Sequence, residues 1–339
     1  MTGGARRGGR AGRAASANRG HPRRAGDLPT HDLDRVQRLR DLFLEGRQGK
    51  RAIADYWRGP ADLAAYDAVL GARIGWKWDA ALNECERRGW RPSGDETVLD
   101  FGCGAGVAAR RYVARFGAGR VLCHDRSPHA TTFAVARLRE EQPSLDAQAV
   151  ASSRDVAADV VLVSHVVSEL DDRGLQQLEE VLRRAPRAIL VESGNRPVAR
   201  RLAGLRDRLL DVFRVLAPCT HQGDCPTLAD ADNWCHFFAS PPSEIFTDGA
   251  WVKAARSLGI DLRSLPYAFV ALDRGDVTSA SPTRRVLGRA AISPVVAKAQ
   301  ACAPGGIEAV EVTKRQDAKL WRSLKKNPEH VDALLREDR

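Results

Sequence analysis

Between Thr97 and Glu192 four short apolar runs, TVLDF, VLCHD, DVVLVS and AILVE, are separated by stretches whose apolar residues recur at helical spacing. Runs that stay apolar without alternation read as strands covered on both faces, the mark of a parallel sheet wound with crossover helices. The predicted fold is therefore α/β. Upstream, Leu33, Val36, Leu39, Leu42 and Phe43 form a helical stripe from His31 to about Gly46, and a second helical region runs from Ala61 to Arg88, broken around Gly71 to Gly75. Downstream, a long helix is expected around Arg196 to Val215, then a polar loop, a helix from about Pro242 to Leu258, a β-rich piece with PYAFVAL and IEAVEVTKR, and a closing basic helix, KRQDAKLWRSLKK.

This pattern divides the chain into an Arg- and Gly-rich tail over 1–28, a helical region over 29–92, an α/β core over 93–215, a Cys-rich loop and helix over 216–262, a β-rich piece over 263–313 and a basic helical end over 314–339. The tail has too little apolar surface to offset the entropy of ordering and is predicted to be disordered.

The first apolar run opens into VLDFGCGAGVAAR, which puts Asp100, Gly102, Gly104 and Gly106 at a strand-to-helix junction. Glycines there allow close approach of a ligand to the backbone, and the helix N-terminus offers free amides. Asp125 ends the next run, about twenty residues on, where a carboxylate can accept from both hydroxyls of an adenosine ribose. The spacing is G-x-G-x-G with an acid just before it, rather than the dinucleotide G-x-G-x-x-G. It looks like the signature of class I S-adenosylmethionine-dependent methyltransferases. That likeness implies a Rossmann-like class I fold, with Asp100 and the glycines around the methionine portion and Asp125 on the ribose. It also makes Asp155, ahead of the third run, a candidate adenine-side contact, and Ser164, at that run's end, a cofactor contact.

The acceptor chemistry is less marked. No proline clamp follows Ser164, and Pro218-Cys219 lies too far past the strand ends to be a pyrimidine-attacking nucleophile. His165 is the candidate general base, with a satisfied polar residue at a strand end as the alternative.

Cys219, Cys225 and Cys235, with His221 and His236, crowd one loop broken by Pro and Gly. Soft ligands at such spacing suit zinc or an iron-sulfur cluster. Cys302, in a turn between two β-like segments, is the expected fourth donor, and His221 and His236 are its rivals. Cys85, Cys103 and Cys123 lie in helix or strand contexts and read as small buried hydrophobes.

Net charge is +10 and the pI near 9.6, so a polyanion is an expected partner. Arg200, Arg201, Arg284, Arg285, Arg289, Lys314, Arg315, Lys325 and Lys326 are its candidate contacts, and Trp321 either stacks on a base or anchors packing. No run is apolar for long enough to cross a bilayer. The Arg-rich start fits an RNA-attracting tail or, second, an organellar transit peptide; the compartment is expected to be bacterial cytoplasm, or alternatively the mitochondrial matrix, and the free protein a monomer.

Taken in order, VLDFGCGAG, VVSEL, VESGN, APCTHQGDCP, NWCHF, the distal Cys302 and VTKR resemble the methyltransferase-like family of small-ribosomal-subunit assembly factors, from about Ala61 to Trp321. The resemblance implies S-adenosylmethionine in a class I domain, a 4Fe-4S cluster on Cys219, Cys225, Cys235 and Cys302, and contact with rRNA of the maturing small subunit. It leaves open whether such a protein methylates that rRNA or serves as a non-catalytic scaffold. A zinc-containing methyltransferase of small molecules or proteins is a third reading. Glu192-Ser193-Gly194-Asn195 departs from the family's pattern, which more often has proline after the acid.

Overall fold

The computed structural model describes residues 30–46, 55–275, 284–329 and 331; the expected disordered tail lies outside them. The chain enters through helix α1 (Thr30–Gly46), α2 (Pro60–Tyr66) and α3 (Ala72–Arg87). It then alternates strand and helix: β1 (Thr97–Phe101), α4 (Val107–Phe116), β2 (Arg120–His124), α5 (Pro128–Glu141), β3 (Asp146–Ala149), β4 (Val160–Ser164), α6 (Asp172–Leu182), β5 (Arg187–Ser193) and α7 (Arg196–Arg208). After β6 (Arg214–Ala217), the cysteine loop, β7 (Phe237–Phe238) and α8 (Gly249–Leu258), the chain forms β8 (Pro266–Asp273). An antiparallel sheet of β9 (Arg285–Ile292), β10 (Val296–Ala303) and β11 (Gly306–Thr313) follows, and α9 (Ala318–Lys326) comes last.

The central sheet has the order β3-β2-β1-β4-β5-β8-β6, with β7 paired to the start of β8. The first five strands are parallel, and β8 runs antiparallel between β5 and β6. Adjacent β1 residues serve opposite faces. Val98 joins a core with Trp78, Tyr112 and Leu138, and Leu99 joins one with Val163, Leu178 and Leu202. All eight are buried, and each such large side chain contributes about 1.5–3 kcal/mol. Side chains cap the starts of two helices: Asp171 accepts from Gly174 N at 2.8 Å at α6, and Asn195 accepts from Val198 N at 3.1 Å at α7.

Five elements differ from the sequence reading. The expected break at Gly71 is a π turn over Asp67–Gly71 that joins α2 to α3 without interrupting the helical run. A Cβ at Gly71 would lie 2.7 Å from Asp67 Oδ1, the carboxylate that holds Arg110 and Arg137. The segment expected as one helix to Val215 divides into α7 and β6, and that expected from Pro242 divides into a turn at Ser243–Phe246 and α8. PYAFVAL, assigned to the C-terminal piece, is β8 of the central sheet, in register from Arg187↔Asp273 to Ser193↔Tyr267. Finally, β3 (DAQA) carries no apolar run because it is an edge strand with Gln148 and Ala149 exposed. Among the described residues no helix is long and apolar enough to cross a membrane.

Candidate functional site

Strand order reverses between β1 and β4, and the crevice outside their carboxyl ends is where open α/β sheets place ligands. β1 delivers the glycine turn to that crevice. Gly102, Gly104 and Gly106 have φ of 70°, 51° and 73°, a left-handed path that L side chains resist. A Cβ at Gly102 would lie 2.5 Å from Val166 Cγ2, and one at Gly106 2.9 Å from the Ala134 Cβ, so packing fixes these two as well. At Gly104, which lines the cleft, nothing lies within 4 Å of the Cβ position.

The cleft encloses about 230 Å³ between this turn, Asp125 and the residues after β4. Asp125 is fixed by two backbone donors, Gly104 N to Oδ2 and Ser127 N to Oδ1, both at 2.9 Å. Burial pushes its pKa up, and the two amides oppose that shift. Ser164 lines the same cleft, and its Oγ accepts from the Trp78 indole at 2.9 Å. His165 follows with φ of 57°, a conformation that costs a non-glycine residue free energy and is retained where the surroundings enforce it.

Two predicted cofactor contacts lie elsewhere. Asp100 is wholly buried beneath the turn rather than on the cleft wall: one oxygen accepts from Ala109 N at 3.3 Å and the other has no partner among the described residues. Burial, followed by the nearby Asp125 charge, pushes Asp100 up to about 8, with the Ala109 amide opposing. Its position braces the start of α4 against β1. Asp155 is exposed in the turn between β3 and β4 and lies outside the cleft lining.

The sequence reading gave Glu169 no role, yet its carboxylate is a central feature of the site. It accepts from the Tyr56 hydroxyl at 3.2 Å, pairs with Arg126 at 3.5 Å, and is pushed up by burial to about 7. Tyr56, Trp57 and Tyr66 close the cleft from the α1–α2 side, with Tyr56–Trp57 centroids 4.8 Å apart and Trp57–Tyr66 5.2 Å apart. Their sequence signal was an aromatic pair just ahead of α2 and a tyrosine at its end, distant from the glycine turn.

Cys219, Cys225 and Cys235 line one small cavity of about 30 Å³ between α7 and β8. Burial raises Cys235, and the neighbouring Cys219, Cys225 and Cys302 raise it further; Cys302 on β10 is pushed up to about 12 by burial and by Cys219 and Cys225. Cys302 Sγ lies 3.6 Å from His221 Nε2. His236 instead stacks on Trp234, at 4.6 Å and 11°. The fold thus gathers the four predicted thiols into one neighbourhood, all reduced, although among the described residues no group of three or more His, Cys, Asp or Glu is arranged to hold a metal ion. Cys85, Cys103 and Cys123 are buried, as expected, and Cys103 also lines the cleft at the glycine turn.

Several predicted polyanion contacts have structural work. Arg200 donates to the carbonyls of Thr227, Asp230 and Asn233 at 2.6, 2.6 and 2.8 Å, so it holds the cysteine loop. Arg201 donates to Val167 O and Leu170 O. Trp321 is 5% exposed, with Lys314 and Lys325 over its ring, and anchors α9 rather than presenting a stacking face.

A family model described as mitochondrial small ribosomal subunit Rsm22 matches residues 77–329, which include the glycine turn, all four clustered cysteines and the β9–β11 sheet. The chain belongs to the Rsm22 family. The description of Rsm22 names mitochondria, the second of the two compartments expected. Among solved structures the chain is similar to magnesium protoporphyrin IX methyltransferase of Synechocystis with bound S-adenosylhomocysteine (12% identity, 72% of this chain and 100% of that one, TM-score 0.39). It is also similar to precorrin-6y C5,15-methyltransferase of Geobacter metallireducens (10% identity, 58% and 88%, TM-score 0.37). A comparison with curated proteins finds no match. The central sheet and glycine turn form the class I methyltransferase fold expected from sequence, here in an Rsm22 chain with a β-rich C-terminal sheet.

Proposed function

We propose that this protein binds S-adenosylmethionine and methylates rRNA of the small ribosomal subunit during its assembly, with a 4Fe-4S cluster on Cys219, Cys225, Cys235 and Cys302. The supporting observation is the Gly104–Asp125 pair at the mouth of a cleft whose wall is built by left-handed glycines. In this reading the turn holds the methionine portion and Asp125 accepts from the ribose. The bound cofactor supplies an electrophilic methyl group, and the protein's part is to orient it and exclude water. The family description supports the ribosomal setting.

The donor chemistry of the cysteine neighbourhood fits a thiolate-bound centre. Four thiols approach from the loop and from β10, and the buried Arg206 lies near enough to Cys219 to oppose the rise of its pKa. A cluster there would tie β10 to the central sheet, and the folding energy of structural metal sites is on the order of 10 kcal/mol. Iron, sulfide and zinc analysis of protein purified without oxygen, beside Cys302→Ser, tests this: near-stoichiometric iron and sulfide lost in the variant supports the cluster. Zinc retained in the variant would sink it.

Methyl transfer is tested with labelled donor and purified immature small subunits. Sustained, cleft-dependent labelling of rRNA is expected. Tight cofactor binding with no transfer would favour the scaffold reading.

A further inference from the structure

A second cleft, of about 420 Å³, adjoins the first and opens between α1, α3 and the segment before β8. The two share four residues: Tyr66, Ile74, His165 and Glu169. A methyl group carried in the first cleft would reach an acceptor in the second across this shared wall.

The second cleft combines aromatic with cationic side chains. Phe43 and Tyr66 stand edge to face, 5.9 Å between centroids. Arg40, Arg73 and Lys77 line the same cleft, with the carboxylates of Asp261 and Glu169. Arg73 is built into the wall: its Nη2 donates to Asp261 O at 3.0 Å and Ser264 O at 3.1 Å, while its Nη1 is buried with no partner among the described residues. Burial pushes Arg73 down to about 10, an energetic cost that an incoming anion would relieve. A planar ring on a phosphate tether matches this lining: aromatic faces for the base and guanidinium donors for phosphate oxygens. No cysteine lines the second cleft. Ring-carbon methylation through a thiolate adduct therefore finds no nucleophile there, whereas methylation of a base N–H needs only a proton acceptor.

Resting on the methyltransferase reading above, we infer that the second cleft is the acceptor-nucleotide site, which takes one unstacked base of single-stranded RNA, and that Glu169 removes the proton from the nitrogen being methylated. The acceptor nitrogen gains the N–C bond as the donor's S–C bond breaks; its proton passes to a Glu169 oxygen, and the donor leaves as a neutral thioether. The Tyr56 hydroxyl on Glu169 fixes the carboxylate's orientation. Burial brings the Glu169 pKa to about 7, where a carboxylate is both available as base and strong enough to act. Unstacking a base costs least in single-stranded or still-unfolded RNA, which suits an immature subunit.

The test uses the full chain with S-adenosylhomocysteine bound and a single-stranded oligoribonucleotide carrying 5-iodouridine, a probe that couples to aromatic side chains. Crosslinks mapped to Phe43 or Tyr66, lost in Arg40→Glu while S-adenosylhomocysteine affinity is kept, support the site. Crosslinks that lie elsewhere, or that ignore Arg40→Glu, overturn it. With immature subunits, Glu169→Gln should lower kcat by about 10²–10⁴-fold, the range for loss of a general base, with crosslinking and cofactor affinity retained. Glu169→Asp should restore part of the rate with a shifted acidic limb. A Glu169→Gln variant that keeps the wild-type rate and pH profile overturns the proton-acceptor role. Failure of the wild type to bind S-adenosylhomocysteine would instead overturn the methyltransferase reading itself.

Discussion

Arg201 on α7 donates to the carbonyl of Leu170 at 2.6 Å and to that of Val167 at 2.9 Å, so one guanidinium spans the loop that leaves β4 with His165 and Glu169 on it. A charged donor on two carbonyls contributes about 1.5–3 kcal/mol per bond, enough to fix the loop's path. Arg201→Ala should leave cofactor affinity within about twofold while lowering methyl transfer at least tenfold, since small misplacements of reacting groups are costly. Single-turnover rates beside equilibrium dialysis would check it. Equal losses of binding and rate would show that the brace supports the whole cleft.

The glycine turn makes a sharper prediction at Gly106 than at Gly104. Gly106→Ala puts a methyl 2.9 Å from Ala134 Cβ in a left-handed conformation, pressing α4 off α5. The cost should be about 2–4 kcal/mol, from overpacking and backbone strain together. Gly104→Ala meets no atom and carries the strain alone, about 1–2 kcal/mol, yet should weaken S-adenosylhomocysteine binding the more. Urea unfolding and calorimetric titration of both variants separate packing from ligand clearance.

Glu192 is wholly buried at the end of β5, accepts from Val167 N at 2.8 Å, and is pushed by burial up to about 8. A carboxyl raised from its unfolded value near 4.3 binds its proton more tightly in the folded state, so stability falls as pH rises between about 4 and 8. The slope is about 1.4 kcal/mol per pH unit for this group. Glu192→Gln keeps an oxygen for Val167 N and removes the titration. Its stability should depend less steeply on pH across that window, as read by denaturant midpoints; an unchanged slope would refute the neutral, buried carboxyl.

Arg200 tethers the cysteine loop through several carbonyls rather than through any acid. Arg200→Ala should cost about 2–4 kcal/mol and speed limited proteolysis between Cys219 and Cys235, while leaving RNA affinity nearly unchanged. A fall in RNA affinity without faster proteolysis would return Arg200 to the binding surface.

The sequence made the parallel strands plain because both faces are covered, and apolar runs such as VVLVS have no other use. It hid β3, an edge strand of polar and alanine residues, and misassigned β8, whose apolar run is the same whether it closes one sheet or opens another. Strand neighbours separated by dozens of residues leave no local trace. Glycines and acids at motif spacing marked the cofactor turn, but Glu169 acquires its character from Tyr56 and Arg126, more than a hundred and about forty residues away in sequence. Arginine offers a similar ambiguity: Arg200 and Arg201 read as an RNA patch until their carbonyl partners are known.

The insertion of β8 between β5 and β6 governs how the chain emerges during synthesis. Among the described residues β6 pairs with β8 alone, so its edge stays open from the time Ala217 appears until Asp273 has followed. At about 5–20 residues per second that is an interval of seconds. Through it, the cysteine loop hangs from an unpaired strand, while β1, β2 and β4, with the glycine turn, already have their partners. The nascent polypeptide therefore completes its glycine-turn crevice first and closes its thiol chamber afterwards, an order written into strand sequence rather than into any binding event.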